Sequence, residues 1–186
     1  MLFRSEVLGF FDDGKEKNSI VDEMPVLGGL REINAFKTGL HVAVGISDPA
    51  TKRKVTGNIT NTKIEFPVLI HPTCLAGNRK FNQFGRGTIL TARVILTTHI
   101  HLGDFVMINL ASTVGHDVRI GNFSTIMPGC SISGNVSFGE ACLMGTGART
   151  LQNINIGSES IIGAGAVVTR SFGNNVKLVG VPAVEK

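Results

Sequence analysis

The sequence predicts a mainly β chain: a parallel β-solenoid of six-residue repeats fills its C-terminal half, preceded by a small α/β segment. Three observations predict it. Every sixth residue from Phe84 to Val168 is large and apolar, with Thr150 the single exception among fifteen. Four residues after each comes a small or β-branched one, as at Val94, Val106, Val118, Cys130, Cys142 and Ala148. The composition, with 23 glycines and neither Trp nor Tyr in 186 residues, favours strands and turns over an ordinary helical domain.

The period decides the element type. A helix would space its apolar residues by three and four, and a half-buried strand by two. A period of six fits short parallel strands joined by tight corners, with one large and one small inward residue per face. Glycine often follows the large residue, as at Gly85, Gly103, Gly115, Gly121 and Gly139, and is expected to supply backbone freedom at the corners. Three faces of six residues make an 18-residue coil, so the fifteen repeats predict five coils. At about 4.8 Å per strand these stack into a column of roughly 24 Å. No insertion breaks the frame between Phe84 and Val168. A prism this short leaves apolar flanks and strand edges that association would cover.

Upstream the pattern changes. Val7-Leu8-Gly9-Phe10-Phe11 reads as an apolar strand ending in the turn Asp12-Asp13-Gly14, and Pro25-Val26-Leu27-Gly28 as a short strand edge. Leu30-Arg31-Glu32-Ile33 begins a helix, and His41 to Gly45 is a buried strand candidate. Asp48-Pro49 supplies a cap and first turn for a helix over Ala50 to Thr56. Phe66 to Ile70 leads through His71-Pro72 into the repeat. Alternating strands and helices predict an α/β domain over residues 1–70, and the solenoid then occupies 71–186.

Composition and charge narrow the function classes. The net charge is +4, and no Lys/Arg cluster interleaves with aromatics, which argues against nucleic acid as a partner. Three cysteines without a CxxC pair suggest neither a disulfide framework nor a metal site. Cys130 and Cys142 fall on inward positions, where a thiol behaves as a small hydrophobe. No apolar run of about 18 residues predicts a membrane span, and no signal peptide is present, so a cytoplasmic setting is expected.

The repeat also places chemistry. Residues 18 apart stack one coil above another, which sets Gly134 over the outward corner residue His116. A general base beside a bare amide is the pairing acyl transfer needs: one removes the acceptor's proton, the other stabilises a tetrahedral oxyanion. Asp117 follows directly and is placed to orient the imidazole. The alternative at this level is a plain surface histidine on a non-catalytic scaffold.

Gly115-His116-Asp117-Val118-Arg119-Ile120-Gly121-Asn122-Phe123 resembles the active-site stretch of bacterial sugar acetyltransferases, the sialic acid O-acetyltransferase and UDP-4-amino-sugar N-acetyltransferase family. Ser133-Gly134-Asn135-Val136, Ile162 to Thr169 and the closing Val179-Gly180-Val181-Pro182-Ala183 resemble it too. Upstream the likeness continues through Gly9-Phe10-Phe11-Asp12-Asp13, Val44-Gly45 and His71-Pro72. The resemblance implies a left-handed coil, a Rossmann-like character for the N-terminal α/β domain, and a homotrimer with acetyl-CoA between neighbouring prisms. It implies His116 as proton acceptor, Asp117 as its polariser and the Gly134 N–H as oxyanion donor. It maps acetyl-CoA contacts to Thr125, Thr146, Ala164 and Pro182, the last three in steps of 18, and acceptor contacts to Asp12, Asp13 and Gly45. The implied reaction acetylates an amine or hydroxyl of a sugar or nucleotide-sugar used in surface glycans or sialic acids, with no metal.

Three departures qualify the match. Position 125 is commonly His in relatives and is Thr here, and the final motif carries Val184 where Lys or Arg is usual. Relatives open with a strand and a glycine-rich loop whose amides hold nucleotide phosphates. This chain begins beyond that loop, and Leu2-Phe3-Arg4-Ser5 matches the translation of a common sequencing-adapter end, so a truncated domain is expected. His99 and His101, with His116, also invite comparison with the γ-carbonic anhydrases, whose zinc ligands include a His pair five residues apart that is missing here.

Overall fold

The computed structural model describes residues 6–186, so Leu2, Phe3, Arg4 and Ser5 lie outside the described residues. The chain forms two compact units: Met1–Val42 with Lys54–Glu65, and Ala43–Arg53 with Phe66–Lys186.

In the first unit, β1 (Phe10–Phe11), β2 (Ile20–Val21) and β3 (Met24–Gly28) form one sheet in the order β1-β3-β2. β1 runs parallel to β3, and β2 antiparallel. The segment Pro25-Val26-Leu27-Gly28 is therefore the central strand rather than an edge. Pro25 is tolerated there because Val26 carries the hydrogen bonding, donating to Ser19 O and accepting from Asn18 N at 2.8 Å each. The short helix α1 (Leu30–Asn34) starts where Glu32 Oε2 accepts from Gly29 N and Asp13 Oδ1 from Leu30 N. The strand expected over His41 to Gly45 is shorter and begins earlier, as β4 (Leu40–His41). After α2 (Pro49–Asn58), β4 pairs in parallel with β5 (Ile64–Glu65). Asn34 and Asn61 tie this unit together, Asn61 Nδ2 donating to Ile33 O and Phe36 O.

The second unit is a three-sided parallel β-helix. Its ladders hold an 18-residue register: Val114 pairs with Ile132, Ile120 with Phe138, and Ile126 with Met144. The large repeat residues fill the interior. Leu90, Leu96, Ile108, Val114, Ile120, Ile126, Met144, Ile156 and Ile162 are each at most 2% exposed. Each such side chain contributes about 1.5–3 kcal/mol by leaving water. Thr150 breaks the apolar frame, but it is equally buried and its hydroxyl accepts from Ser133 N.

The small inward positions carry a second ladder. Thr88, Ser112 and Ser124 donate to the carbonyls of Gly103, Met127 and Gly139, each 15 residues on. Cys130 and Cys142 do the same towards Gly145 and Gly157, at 3.2 and 3.1 Å. The two cysteines thus replace serines, and burial raises their thiol pKa values.

The glycines after the large residues serve a different purpose from the one expected. A Cβ on Gly85, Gly115, Gly121 or Gly139 would stand 2.4–2.6 Å from the next coil, so these positions are bare because coils approach closely. The positive-φ corners come two residues later, at positions such as Arg93, His99, Phe105, Asp117, Phe123 and Asn135, with φ between +55° and +63°. Phe105 and Phe123 tolerate this strained region as a stacked pair, with ring centroids 5.6 Å apart.

The helix extends past the repeat at both ends, and there the ruler changes. Ile70 pairs with Leu90 and Ala76 with Leu96, a step of 20, because two extra residues are absorbed around the 3-10 turn Arg79–Phe81. At the other end Ile162 pairs with Leu178 and Ile156 with Phe172, a step of 16. The strand Lys177–Val179 then turns back onto Val184–Glu185 as an antiparallel hairpin.

Candidate functional site

His116 projects from a corner of the β-helix with its side chain largely exposed. Its Nδ1 lies 2.8 Å from Asp117 Oδ2, which fixes the ring and leaves Nε2 free to take a proton. The same hydrogen bond, ahead of every other influence, holds the Asp117 carboxyl below its ordinary range, so the carboxylate stays charged. One coil on, the imidazole lies against Gly134. A Cβ built there would stand 2.5 Å from His116 Nε2 and 2.7 Å from Cε1, so only glycine leaves room for the ring. The neighbouring amide, Asn135 N, donates to His116 O, whereas among the described residues no acceptor takes the Gly134 N–H. A base and an open donor therefore share one corner.

The corner continues below. Residues 99, 117, 135 and 153 stack in register as His, Asp, Asn and Asn, all with φ between +55° and +60°. Short polar side chains suit that backbone region because they find local hydrogen bonds. Asn135 Nδ2 donates to Asn153 Oδ1 at 2.8 Å. His99, His101, Asp117, Arg119 and Asn135 line an open recess of about 320 Å³. The sequence marked His99 only as a metal candidate, although its 18-residue offset from Asp117 was available to find it.

The four residues mapped to acetyl-CoA divide. Thr146 and Ala164 are exposed and one coil apart, and Thr146 O accepts from Gly165 N. Thr125 is completely buried, with Lys52 Nζ donating to its hydroxyl at 2.8 Å, so no outside ligand reaches that hydroxyl in this conformation. Lys52, on the first half of α2, is itself 1% exposed, and burial lowers its pKa to about 8 against the pull of Asp48. Beside it, Arg53 lies over the Phe123 ring and pairs with Glu159 at 2.9 Å. Pro182 leaves the column. The 16-residue step carries the register from Ala164 to Gly180, and Pro182 sits in the closing hairpin turn after a cis peptide bond.

Asp12 and Asp13 are exposed and half engaged: Asp12 Oδ1 accepts from Gly14 N, and Asp13 Oδ1 from Leu30 N. Gly45 belongs to the other unit, is exposed, and a Cβ there would meet nothing within 4 Å. Among the described residues no group of three or more His, Cys, Asp or Glu side chains gathers to hold a metal ion, and no helix is long and apolar enough to cross a membrane.

No protein-family model matches the chain, and no curated protein matches it. Solved structures do. The acetyltransferase domain of PglB from Neisseria gonorrhoeae, in complex with acetyl coenzyme A, is 31% identical with a TM-score of 0.88, covering 96% of this chain and 85% of that one. PerB from Caulobacter crescentus, in complex with CoA and GDP-perosamine, is 30% identical with a TM-score of 0.83, covering 89% of this chain and 80% of that one. WeeI from Acinetobacter baumannii is 28% identical with a TM-score of 0.88, covering 96% and 85%.

Proposed function

The chain belongs to the hexapeptide-repeat sugar acetyltransferase family, and we propose that it carries the acetyl group of acetyl-CoA to the amine of a nucleotide-linked sugar. It is an acetyl-CoA-dependent sugar acetyltransferase. The GDP-perosamine bound to PerB supports the amine and the nucleotide. The observation that carries the mechanism is the His116 imidazole, tethered by Asp117 through Nδ1 and resting on Gly134 with its N–H open.

In the proposed reaction His116 Nε2 accepts a proton from the acceptor amine as its nitrogen bonds to the thioester carbonyl carbon. The Gly134 N–H donates to the carbonyl oxygen as it becomes an oxyanion. Collapse of that intermediate breaks the carbon–sulfur bond, and His116 returns the proton to the departing thiolate. Asp117 stabilises the imidazolium between the two transfers. Thr146 and Ala164 offer an exposed column for the extended arm of CoA, and Pro182, off that column in the hairpin turn, is the remaining proposed contact. Thr125 contributes from beneath, as the anchor of Lys52.

Asp12, Asp13 and Gly45 are the proposed acceptor contacts, with residues 1–70 as a Rossmann-like acceptor domain and 71–186 as a left-handed acyltransferase domain. A cytoplasmic homotrimer completes the reading. Leu75 and Ile95, neighbours in one sheet and 65% and 41% exposed, supply apolar surface for association. Light scattering should give a mass near three times 19.8 kDa.

The test is a mass-spectrometric screen of nucleotide-linked amino sugars and sialic acids with acetyl-CoA. Acetylation of an amino group on a nucleotide-linked sugar is expected. Product only on a sialic acid hydroxyl would overturn the amine assignment. No product, together with no thermal shift from acetyl-CoA, would leave the non-catalytic scaffold.

A further inference from the structure

We infer that His99 is a positioning residue for His116, acting through the Asp117 carboxylate that both imidazoles face; its part in catalysis rests on the reaction proposed above. The two carboxylate oxygens are divided between the rings. Oδ2 faces His116 Nδ1 at 2.8 Å, and Oδ1 faces His99 Nδ1 at 3.9 Å. The second distance is too long for a direct hydrogen bond, so His99 acts by charge.

The arrangement is built into the coil. Asp117 stands one 18-residue step after His99, and Asp117 N donates to Thr98 O at 3.1 Å. Both residues hold the same left-handed backbone, with φ +56° and +58°. On its other side the His99 ring meets Phe81, with centroids 5.3 Å apart, and Thr98 Oγ1 lies 3.4 Å from Nδ1. The remaining groups around Asp117 are Arg119, His101 and the neutral Asn135, which share the recess. His101 is engaged by Gln83 at 3.2 Å, and Arg119 is a fixed cation. His99 is thus the member of this set whose ring nitrogen faces the carboxylate.

One carboxylate therefore faces two imidazoles. A positive charge at position 99 competes for the Asp117 carboxylate and loosens its hold on His116 Nδ1. Removing the His99 charge should do the opposite. All three side chains are exposed, so the coupling is modest, and salt screens it.

The decisive experiment is a histidine Cε1–H NMR titration of the full chain, whose five histidines make assignment tractable. His99→Gln should move the His116 midpoint up by roughly 0.3–0.6 pH units, and His99→Lys, with a constant cation, should move it down by a similar amount. In an Asp117→Asn background the His99→Gln shift should fall by at least half. A His116 midpoint that stays put in both variants would overturn the inference, whether or not the protein turns over. The acid limb of kcat/KM should move with the NMR midpoint. A midpoint that moves while the limb does not would leave the pairing intact and remove His116 from the reaction.

Discussion

His116 and Thr125 are nine residues apart on one stretch of β-helix, and the same family resemblance singles out both. Their surroundings are opposite. His116 stands in the open on a corner, held by its neighbour Asp117 and backed by the next coil at Gly134. Thr125 is sealed beneath Lys52, on a helix that lies outside the repeat. The difference separates two kinds of placement. Within the solenoid, an 18-residue register fixes what stands above what. What covers a face from outside is set by tertiary packing, and periodicity carries no trace of it.

The comparison can be broken at each end, and the largest effect is expected at the open corner. Gly134→Ala keeps the backbone N–H but sets a methyl group where the His116 ring lies. Turnover should fall about 10²–10⁴-fold, the size of displacing a general base, while the melting temperature changes little. A variant with wild-type turnover would show that the ring and the amide do not work together.

At the sealed position the readout is stability. Lys52 has a folded-state pKa of about 8, below the ordinary 10.5 that it regains on unfolding. Between those values the unfolded chain binds more protons, so stability should rise with pH across this window, by about 3 kcal/mol at most. Below pH 8 both states are protonated and the contribution levels off at its minimum. Lys52→Met should flatten the rise, as followed by urea denaturation at several pH values. A slope unchanged by the substitution would mean that Lys52 is not buried in solution.

Thr125→Val, smaller again, should cost about 1–3 kcal/mol by removing the hydroxyl that meets the Lys52 ammonium. It should leave KM for acetyl-CoA within about twofold, since a buried hydroxyl makes no ligand contact. A KM increase of tenfold or more with unchanged stability would return Thr125 to the donor site.

Much of the second unit was legible in the sequence. The large residues from Phe84 to Val168 point inward, Thr150 included, and Gly134 falls beside His116 as the register requires. The ends were not legible, because a coil that gains or loses two residues leaves the apolar pattern almost intact. That shift moved Gly180 into the step after Ala164 and left Pro182 in the hairpin. The glycines were found for the wrong reason, since spacing alone does not separate a corner from a close approach. The cover on Thr125 depended on which face α2 meets. The carboxylate shared by His99 and His116 follows the ruler and needed only one more step down it.

The corner of His116, Asp117 and Gly134 is proposed to perform the transfer. Steady-state turnover of His116→Ala, with acetyl-CoA and an acceptor identified by the screen, tests it most directly. A fall in kcat of roughly 10²–10⁴ is expected, with the melting temperature and assembly state unchanged. Wild-type turnover in that variant would contradict the account.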